Sequence, residues 1–165
     1  MTTRAGRPVE LRHTLRDADR RAIAALVEAT GMFSAAEVEI AAELVDERLE
    51  RGADCDYRFA VAEIEERVVG YACFGPIPCT VSSYDVYWIA VDPTEQGRGV
   101  GRRLLADVEK RVVDLGGTRI YVDTSGRDAY APTRAFYERM GYKRAAALTD
   151  FYAPGDAKIV YVKPV

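Results

Sequence analysis

Four stretches of the chain carry apolar residues at the spacing of an α-helix. They are residues 17–30, the segment from Ser34 to Gly52, residues 99–115 and residues 132–140. Ser34, with Glu37 three positions later, is a capping-box pattern that begins the second helix, and Gly52 ends it. The third helix has an apolar stripe formed by Leu104, Leu105, Val108, Val112 and Leu115.

The remaining apolar stretches have the β-branched and aromatic content or the alternation typical of strands. They are residues 9–15, 58–64, 68–74, 83–91, 119–123, 142–152 and 157–162. This order of elements predicts an α/β fold with a mixed central sheet of about six to seven strands flanked by about four helices. Because no linker divides the chain, we predict a single domain over residues 1–165 with a loose tail at residues 1–7.

Composition and charge narrow the classes of function. Of the 165 residues, 48% are hydrophobic and 30% are charged, which is typical of soluble globular proteins. A net charge of -3 argues against a nucleic-acid partner, which requires a basic surface. The first residues lack the apolar segment of a signal peptide and no apolar run reaches about 18 residues, so we predict no membrane contact. The cysteines are odd in number and lack a CxxC pair, which predicts a reducing, cytoplasmic environment. One histidine and three cysteines without a CxxC pair predict that the protein holds no metal.

The stretch EQGRGVGRR at residues 95–103 follows a predicted strand and opens a predicted helix. Backbone N–H groups and the positive end of the helix dipole are free at such a position. Gly97, Gly99 and Gly101 lack the Cβ atoms that would keep an anion away, and three arginines in the stretch add positive charge. The stretch therefore predicts a phosphate-binding loop, with a tight strand-to-helix turn as the alternative.

Two common nucleotide-binding patterns fail in this stretch. No GK[ST] follows the glycines, which excludes a P-loop. Counted from Gly97, the third glycine stands at Gly101 and position 102 is arginine, so the GxGxxG dinucleotide fingerprint also fails. A nucleotide-binding protein is therefore disfavoured.

Three segments of the chain follow one another in an order known from one enzyme family. The strand before the glycines ends in IAVDP, QGRGVG follows at residues 96–101, and AFYERMGY stands at residues 135–142. Together they resemble the GCN5-related N-acetyltransferases, the GNAT superfamily, over about residues 58–162. The resemblance implies the GNAT fold and acetyl-CoA as cosubstrate. The cofactor-binding residues that it implies are Ile89, Ala90, Val91, Gln96, Gly97, Arg98, Gly99, Val100, Gly101, Arg102 and Tyr137.

Acetyl transfer to an amine needs a neutral amine, a hydrogen-bond donor for the carbonyl oxygen and a proton for the departing thiolate. The resemblance implies Tyr137 as the acid and the backbone N–H of Val91 as the donor. Asp85, Asp123 or a bound water alone stay open as the base. The alternative for Tyr137 is a core aromatic on a helix face, and for each aspartate a strand-end residue that caps a turn.

The acceptor predicted by the resemblance is a primary amine of a small molecule or of a peptide or protein. In this family the substrate wall comes from the first helices and the last loop, and the substrate-binding residues that it implies are Phe33, Tyr84, Tyr87, Trp88 and Tyr152. An aromatic and acidic pocket suits a cationic amine with an apolar body. The run DFYAPGDAK at residues 150–158 resembles the final loop of ribosomal-protein N-terminal acetyltransferases, which keeps a peptide amine open.

One position departs from the family pattern. Many relatives carry asparagine seven residues before the tyrosine, where this chain has Tyr130, so the pantetheine contact of the family is not predicted there. The competing hypothesis for the whole chain is a non-catalytic CoA- or acetyl-CoA-binding regulatory module, and the presence of Tyr137 together with Asp85 favours the enzyme. The resemblance also leaves a homodimer open.

Overall fold

The computed structural model describes residues 7–165, and within them seven strands and four α-helices follow the predicted order. The strands are β1 Glu10–Arg12, β2 Arg58–Ile64, β3 Arg67–Pro76, β4 Ser83–Val91, β5 Arg119–Ser125, β6 Lys143–Ala153 and β7 Asp156–Pro164. The helices are α1 Asp19–Ala29, α2 Ala35–Arg51, α3 Val100–Asp114 and α4 Ala131–Arg139. The predicted α/β fold with a mixed sheet is confirmed.

The strands form a sheet in the order β1-β2-β3-β4-β5-β7-β6. The pairs β1–β2, β2–β3, β5–β7 and β6–β7 are antiparallel, whereas β4 and β5 are parallel. Parallel strands need a crossover connection, which α3 supplies. The parallel pairing runs from Ser83 opposite Arg119 to Val86 opposite Val122.

The limits of α2 follow from its local sequence. Ser34 Oγ accepts a hydrogen bond from the Glu37 backbone N–H at 3.2 Å, and the Glu37 carboxylate accepts one from the Ser34 N–H at 2.7 Å. This is the predicted capping box, which satisfies two N–H groups that the first helical turn leaves open. Gly52 ends the helix with a φ of 55°, a value that side chains rarely tolerate.

The chain divides into two compact units. The first consists of the described residues up to Phe74 together with Trp88–Val108. Its core is formed by side chains from both N-terminal helices and from β2 and β3, and it contains Ile23, Leu26, Val27, Ala41, Val45, Phe59 and Tyr71. The helical members of this core recur at intervals of three or four residues, which is the spacing of one buried helix face.

Arg12, the last residue of β1, joins two buried carboxylates in the first unit. Its guanidinium donates to Asp19 at 2.7 and 3.0 Å and to Glu63 at 2.6 and 3.2 Å. Asp19 is only 2% exposed and Glu63 only 8%. These contacts, with the hydrogen bond to Asp19 first, raise the pKa of Arg12, so its guanidinium stays charged. The network ties β1 and β2 to the start of α1.

The second unit consists of Gly75–Tyr87 and Glu109–Val165. Its core contains a cluster of rings in which the Tyr137 centroid lies 5.9 Å from that of Tyr142 and 6.0 Å from that of Tyr161. Such tilted aromatic pairs add to the stabilisation from burial alone. The cluster fixes the face of α4 that carries Tyr137 against the sheet strand β7.

Two details of the helical segments differ from the sequence prediction. Short 3-10 helices at Gly52–Asp54 and Asp128–Tyr130 were not predicted, because three residues are too few to show an apolar period. Leu115, predicted within the buried stripe of α3, is 45% exposed. The reason is that α3 ends at Asp114, so the helical spacing no longer applies to the next residue.

The N-terminal segment also differs in part. β1 is confined to Glu10–Arg12, shorter than the predicted residues 9–15, because its pairing with β2 covers only these residues. Residues 1–6 of the predicted tail lie outside the described part of the chain, and Arg7 forms an ion pair with Glu65. A single domain over the whole chain stays a prediction. Within residues 7–165, no helix has the length and apolar character to span a membrane.

Candidate active site

The glycine-rich loop lies in the first unit, between the end of β4 at Val91 and the start of α3 at Val100. Gly97 has a φ of 76° and Gly99 a φ of 82°, both in the region that favours glycine. A Cβ added to either residue would meet no atom within 4 Å. The glycines are therefore required by the backbone conformation, and they leave open space in front of the N-terminus of a helix, where anions bind favourably.

An acidic network braces this loop. Asp92 N–H donates to Val69 O at 2.9 Å, and Asp92 Oδ1 accepts from the backbone N–H of Thr94 at 2.8 Å and from its hydroxyl at 2.6 Å. The Thr94 hydroxyl bond is the main reason why the pKa of Asp92 is lowered. Arg67 of β3 then donates to Asp92 at 2.9 Å and to Glu95 at 2.7 Å. The path of the loop is thus fixed by hydrogen bonds on the side of β3.

The arginines of the loop differ in their charge balance. Arg98 forms an ion pair with Glu95, which is itself 8% exposed and also bound by Arg67. The positive charge of Arg98 is therefore already compensated in this structure. Arg102 and Arg103 are exposed on the first turn of α3 and form no ion pair within residues 7–165. The charge available to an anion at the loop comes chiefly from these two residues and from the helix dipole.

The end of β4 is tied to the same loop. Gln96 Nε2 donates to Val91 O at 3.2 Å, while Ala90 is buried and Ile89 and Val91 are half-buried. Sequence reasoning missed the contribution of Gly70 on β3. A Cβ there would lie 3.1 Å from Ala90 O and equally close to two side chains of α3. Gly70 therefore allows close packing beneath the loop.

Two of the predicted substrate-binding residues meet in the first unit. The ring centroids of Phe33 and Trp88 are 4.9 Å apart, with the planes tilted by 58°. Both rings are partly buried and pack against the hydrophobic core. Phe33 stands in the short connection between α1 and α2, so the pair presents aromatic surface from that connection and from β4.

The two candidate bases are close enough to interact in the second unit. Asp85 is half-buried, and its pKa is raised to about 6, first by burial and then by the negative charge of Asp123. Lys158, which sequence reasoning did not single out, lowers the pKa of Asp85. Its Nζ lies 2.6 Å from Asp123 Oδ2. The cluster therefore holds two carboxylates and one ammonium group.

The strand registers explain why these three groups meet. Asp85 pairs with Tyr121 on β5, and Asp123 stands two residues further along on the same face. Asp123 in turn pairs with Val160 on β7, and Lys158 stands two residues before it. The two-residue alternation along each strand indicates which residues share a face of the sheet. It does not show which residues of neighbouring strands lie side by side, because that depends on the register between strands.

Tyr137, the candidate acid, is 5% exposed on α4. Burial and then the charge of Asp123 raise its pKa, so its phenol stays protonated at neutral pH. A protonated phenol can give a proton to a thiolate. Because Asp123 acts on both Tyr137 and Asp85, the candidate acid and both candidate bases belong to one electrostatic cluster.

The other predicted substrate-binding residues have different surroundings. Tyr84 is 9% exposed and packs in the core, where its ring would lie 2.8 Å from a Cβ at position 117. Tyr87 is exposed, and its hydroxyl donates to Pro76 O at 3.4 Å. Tyr152 is also exposed, with its ring in edge contact with Phe151 at 5.1 Å. Of these three residues, Tyr87 and Tyr152 expose side-chain surface.

The segment that departs from the family pattern forms a braced turn. Tyr130 lies in the 3-10 helix before α4, with the Arg127 guanidinium 5.4 Å from its ring centroid. Arg134 Nη1 donates to Ser125 O at 2.7 Å and to Arg127 O at 2.8 Å. Arg134 therefore fixes the connection between β5 and α4.

Comparison with known families identifies the chain. The sequence profile described as the Acetyltransferase (GNAT) family matches residues 20–142, which is most of the chain. The chain belongs to the GNAT acetyltransferase family. The resemblance seen in its motifs is thereby confirmed, and so is the acyltransferase class of enzyme that it implies.

Among the relatives that match by sequence are two uncharacterised proteins. An uncharacterised N-acetyltransferase of Methanocaldococcus jannaschii is 31% identical over 110 residues, which cover 64% of this chain and 65% of the relative. An uncharacterised protein of Mycobacterium leprae is 32% identical over 114 residues, which cover 68% of this chain and 29% of the relative. The chain thus spans less than two thirds of the length of either relative.

Solved GNAT structures share the fold. A Desulfovibrio desulfuricans protein described as a GNAT-family acetyltransferase is 45% identical, with a TM-score of 0.93 over 95% of this chain and 99% of the other. An aminoglycoside 6'-N-acetyltransferase complexed with coenzyme A has a TM-score of 0.76 at 19% identity, over 94% of this chain and 96% of the other. The second likeness shows the fold alone.

Within residues 7–165, no group of three His, Cys, Asp or Glu is placed to hold a metal ion.

Proposed function

We propose that this chain transfers an acetyl group from acetyl-CoA to a primary amine of a small molecule or of a peptide. The observation that carries the proposal is the open glycine loop before α3, where Gly97 and Gly99 leave the backbone uncovered. Such a site accepts a diphosphate on backbone N–H groups. Membership of the GNAT acetyltransferase family supports the same ligand.

The cosubstrate is held by the end of β4 and by the glycine loop. The backbone N–H groups of residues 97–102 bind the pyrophosphate, and Arg102, which forms no ion pair with any residue from 7 to 165, contributes positive charge. The pantetheine arm runs along Ile89–Val91, and the Val91 N–H donates to the carbonyl oxygen of the thioester. Gln96 stabilises this arrangement through its hydrogen bond to Val91 O.

The chemistry on the protein side is proton transfer. Acetyl-CoA, when bound, supplies the acetyl thioester. A carboxylate of the cluster, Asp85 or Asp123, accepts the proton of the acceptor ammonium directly or through water, because an amine with a pKa of about 10 is otherwise protonated at neutral pH. The neutral amine attacks the thioester carbonyl carbon, the C–S bond breaks, and Tyr137 donates its phenolic proton, kept in place by burial of the ring, to the departing sulfur. The proton that the acylated nitrogen loses then restores the phenol directly or through water.

The acceptor is an amine with an apolar body. The aromatic pair of Phe33 and Trp88 and the exposed rings of Tyr87 and Tyr152 support this class, because a cationic amine is attracted to aromatic faces. One structural neighbour is a ribosomal-protein-S18-alanine N-acetyltransferase from Escherichia coli, with a TM-score of 0.76 at 19% identity. A peptide amine is therefore tested beside small amines.

The first experiment is a calorimetric titration of the protein with acetyl-CoA, with ATP and NADH as control ligands. We expect micromolar binding of acetyl-CoA and none of the controls. A folded sample that binds no acetyl-CoA would refute the cosubstrate. The second experiment measures release of free CoA thiol with arylalkylamines, polyamines, aminoglycosides and short peptides. Binding of acetyl-CoA without thiol release for any amine would favour a regulatory acetyl-CoA-binding module instead.

A further inference from the structure

A lysine on β7 completes the charged cluster of the second unit. Lys158 Nζ lies 2.6 Å from Asp123 Oδ2 and 4.6 Å from the centroid of the Phe151 ring. We propose that Lys158 is a positioning residue that holds Asp123 in an ion pair and leaves Asp85 as the carboxylate that takes the proton of the acceptor amine. This inference rests on the proposed acetyl transfer, and it decides between two aspartates that the sequence leaves open.

The Lys158 ammonium group is held from two sides. The Asp123 carboxylate binds one side, and the face of the Phe151 ring covers another, where the π-electrons attract a cation. The lysine side chain is only 22% exposed, although a surface lysine normally extends into solvent. A lysine fixed in this way is held beside one carboxylate.

The two aspartates therefore have different roles. The carboxylate of Asp123 is engaged in the ion pair with Lys158. Asp85 is half-buried and has no ion-pair partner within the described residues. Burial and the charge of Asp123 raise its pKa to about 6, close to the range in which a general base is most effective.

Three further titratable groups of the second unit belong to the cluster around Asp85. Asp123 on β5 raises the pKa of Asp85, and Lys158 on β7 lowers it. The charge of Asp123 also acts on Tyr137 of α4, whose phenol stays neutral because burial and then that charge raise its pKa. The charge seen by Asp85 is thus set by one carboxylate and one ammonium group, and each can be removed separately.

The test is the pH profile of kcat/KM between pH 5 and 8, at saturating acetyl-CoA, for an amine that the wild-type protein acetylates. Lys158→Met removes the positive charge, so the acidic limb should move upward by about half a pH unit or more. Asp123→Asn removes the negative charge and leaves the lysine, so the limb should move downward. Lys158→Arg keeps the charge and should restore the wild-type profile. The double variant should lie between the two single variants.

A second readout does not require turnover. The side-chain carboxyl carbon of Asp85, assigned by comparison with Asp85→Asn, is titrated by NMR in the wild-type protein and in Lys158→Met and Asp123→Asn. We expect the midpoint to move in the same opposite directions as the kinetic limb. Circular dichroism and acetyl-CoA calorimetry on each variant show that it is folded and that the glycine loop is unaffected.

The outcomes separate this inference from the proposed function. No turnover of any amine by the wild-type protein refutes the transfer itself. Turnover with an acidic limb that stays in place in both Lys158→Met and Asp123→Asn refutes only the role of Lys158. Loss of the limb in Asp85→Asn, together with opposite shifts in the two charge variants, supports the assignment of Asp85 as the base.

Discussion

Replacement of Gly99 by alanine tests the function of the glycine loop with a single methyl group. Gly99 has a φ of 82°, and its added Cβ would meet no protein atom within 4 Å. The methyl group therefore causes no clash within the protein, and its effects are limited to backbone strain and to whatever ligand occupies the open space. A left-handed conformation costs a non-glycine residue about 1–2 kcal/mol.

Gly155→Ala provides a matched control. Gly155 has a φ of 79°, and a Cβ there also meets nothing within 4 Å. It stands in the turn between β6 and β7, in the second unit. Alanine also reduces the conformational entropy of the unfolded chain, which raises the unfolding free energy by about 0.4–1 kcal/mol. Both variants should therefore lose about 1 kcal/mol of unfolding free energy, or about 2–4 °C in Tm for a chain of this size.

The two variants should differ in binding. In Gly99→Ala the methyl group fills space that a phosphate needs next to the backbone, so we expect acetyl-CoA to bind about tenfold more weakly or worse, a loss of about 1.4 kcal/mol or more. Gly155→Ala should bind with wild-type affinity. Calorimetry measures both dissociation constants, and urea unfolding measures both stabilities. If Gly99→Ala loses stability as expected but keeps native acetyl-CoA affinity, the assignment of the loop to phosphate binding is wrong.

Three further changes address catalysis and stability. Tyr137→Phe should lower kcat about 100-fold or more with little change in acetyl-CoA affinity, and an unchanged kcat in a stopped thiol-release assay would remove the acid role. Arg12→Met removes the arginine partner of buried Asp19, leaves Glu63 with Arg16, and should cost about 3 kcal/mol in urea unfolding. Lys110→Met, at an exposed ion pair, should cost under about 0.5 kcal/mol. Asp85→Asn should stabilise the fold above pH 6 by about 1 kcal/mol, allowing for solvent screening, and should have no effect near pH 4.

The sign of the Asp85 effect follows from its raised pKa. The folded protein holds the proton of Asp85 up to about pH 6, whereas the unfolded chain releases it near the ordinary value of 3.8. The contribution of Asp85 to stability is therefore fully present below pH 3.8 and is lost as the pH rises to 6. Urea unfolding at several pH values should show a gain for Asp85→Asn that grows over this interval and then stays constant. A gain of equal size at every pH would contradict the burial argument.

Features set by short-range sequence were predictable. The capping box of Ser34 and Glu37 and the stop at Gly52 define α2 within a few residues, because each acts through hydrogen bonds to nearby backbone. The glycine loop is of the same kind, since a strand, alternating glycines and a helix start are contiguous in the chain. The ion pair of Glu95 with Arg98, three residues later, could also have been predicted from the sequence, because the two residues are close along the chain.

Features set by the alignment of strands were not predictable. Lys158 meets Asp123 only because β5 and β7 pair in one register, and a shift of one residue would place the lysine on the other face of the sheet. The burial of Tyr84 depends likewise on its contact with Gly117, a residue far away in sequence. Sequence patterns place a residue on a face, whereas its neighbours across the sheet depend on pairings that no local signal specifies.

The treatment of buried charge distinguishes Asp85 from the structural carboxylates of this chain. Four carboxylates under 9% exposed have an arginine partner each, and they are Asp19, Glu63, Glu95 and Asp156. Asp85 is also withdrawn from water, yet it faces another carboxylate and has no ion-pair partner within residues 7–165. A partly buried carboxylate without an ion-pair partner lowers the stability of the fold, and no structural contact of this residue within the described part of the chain offsets that loss. That cost is the expected mark of a group whose proton is needed for chemistry.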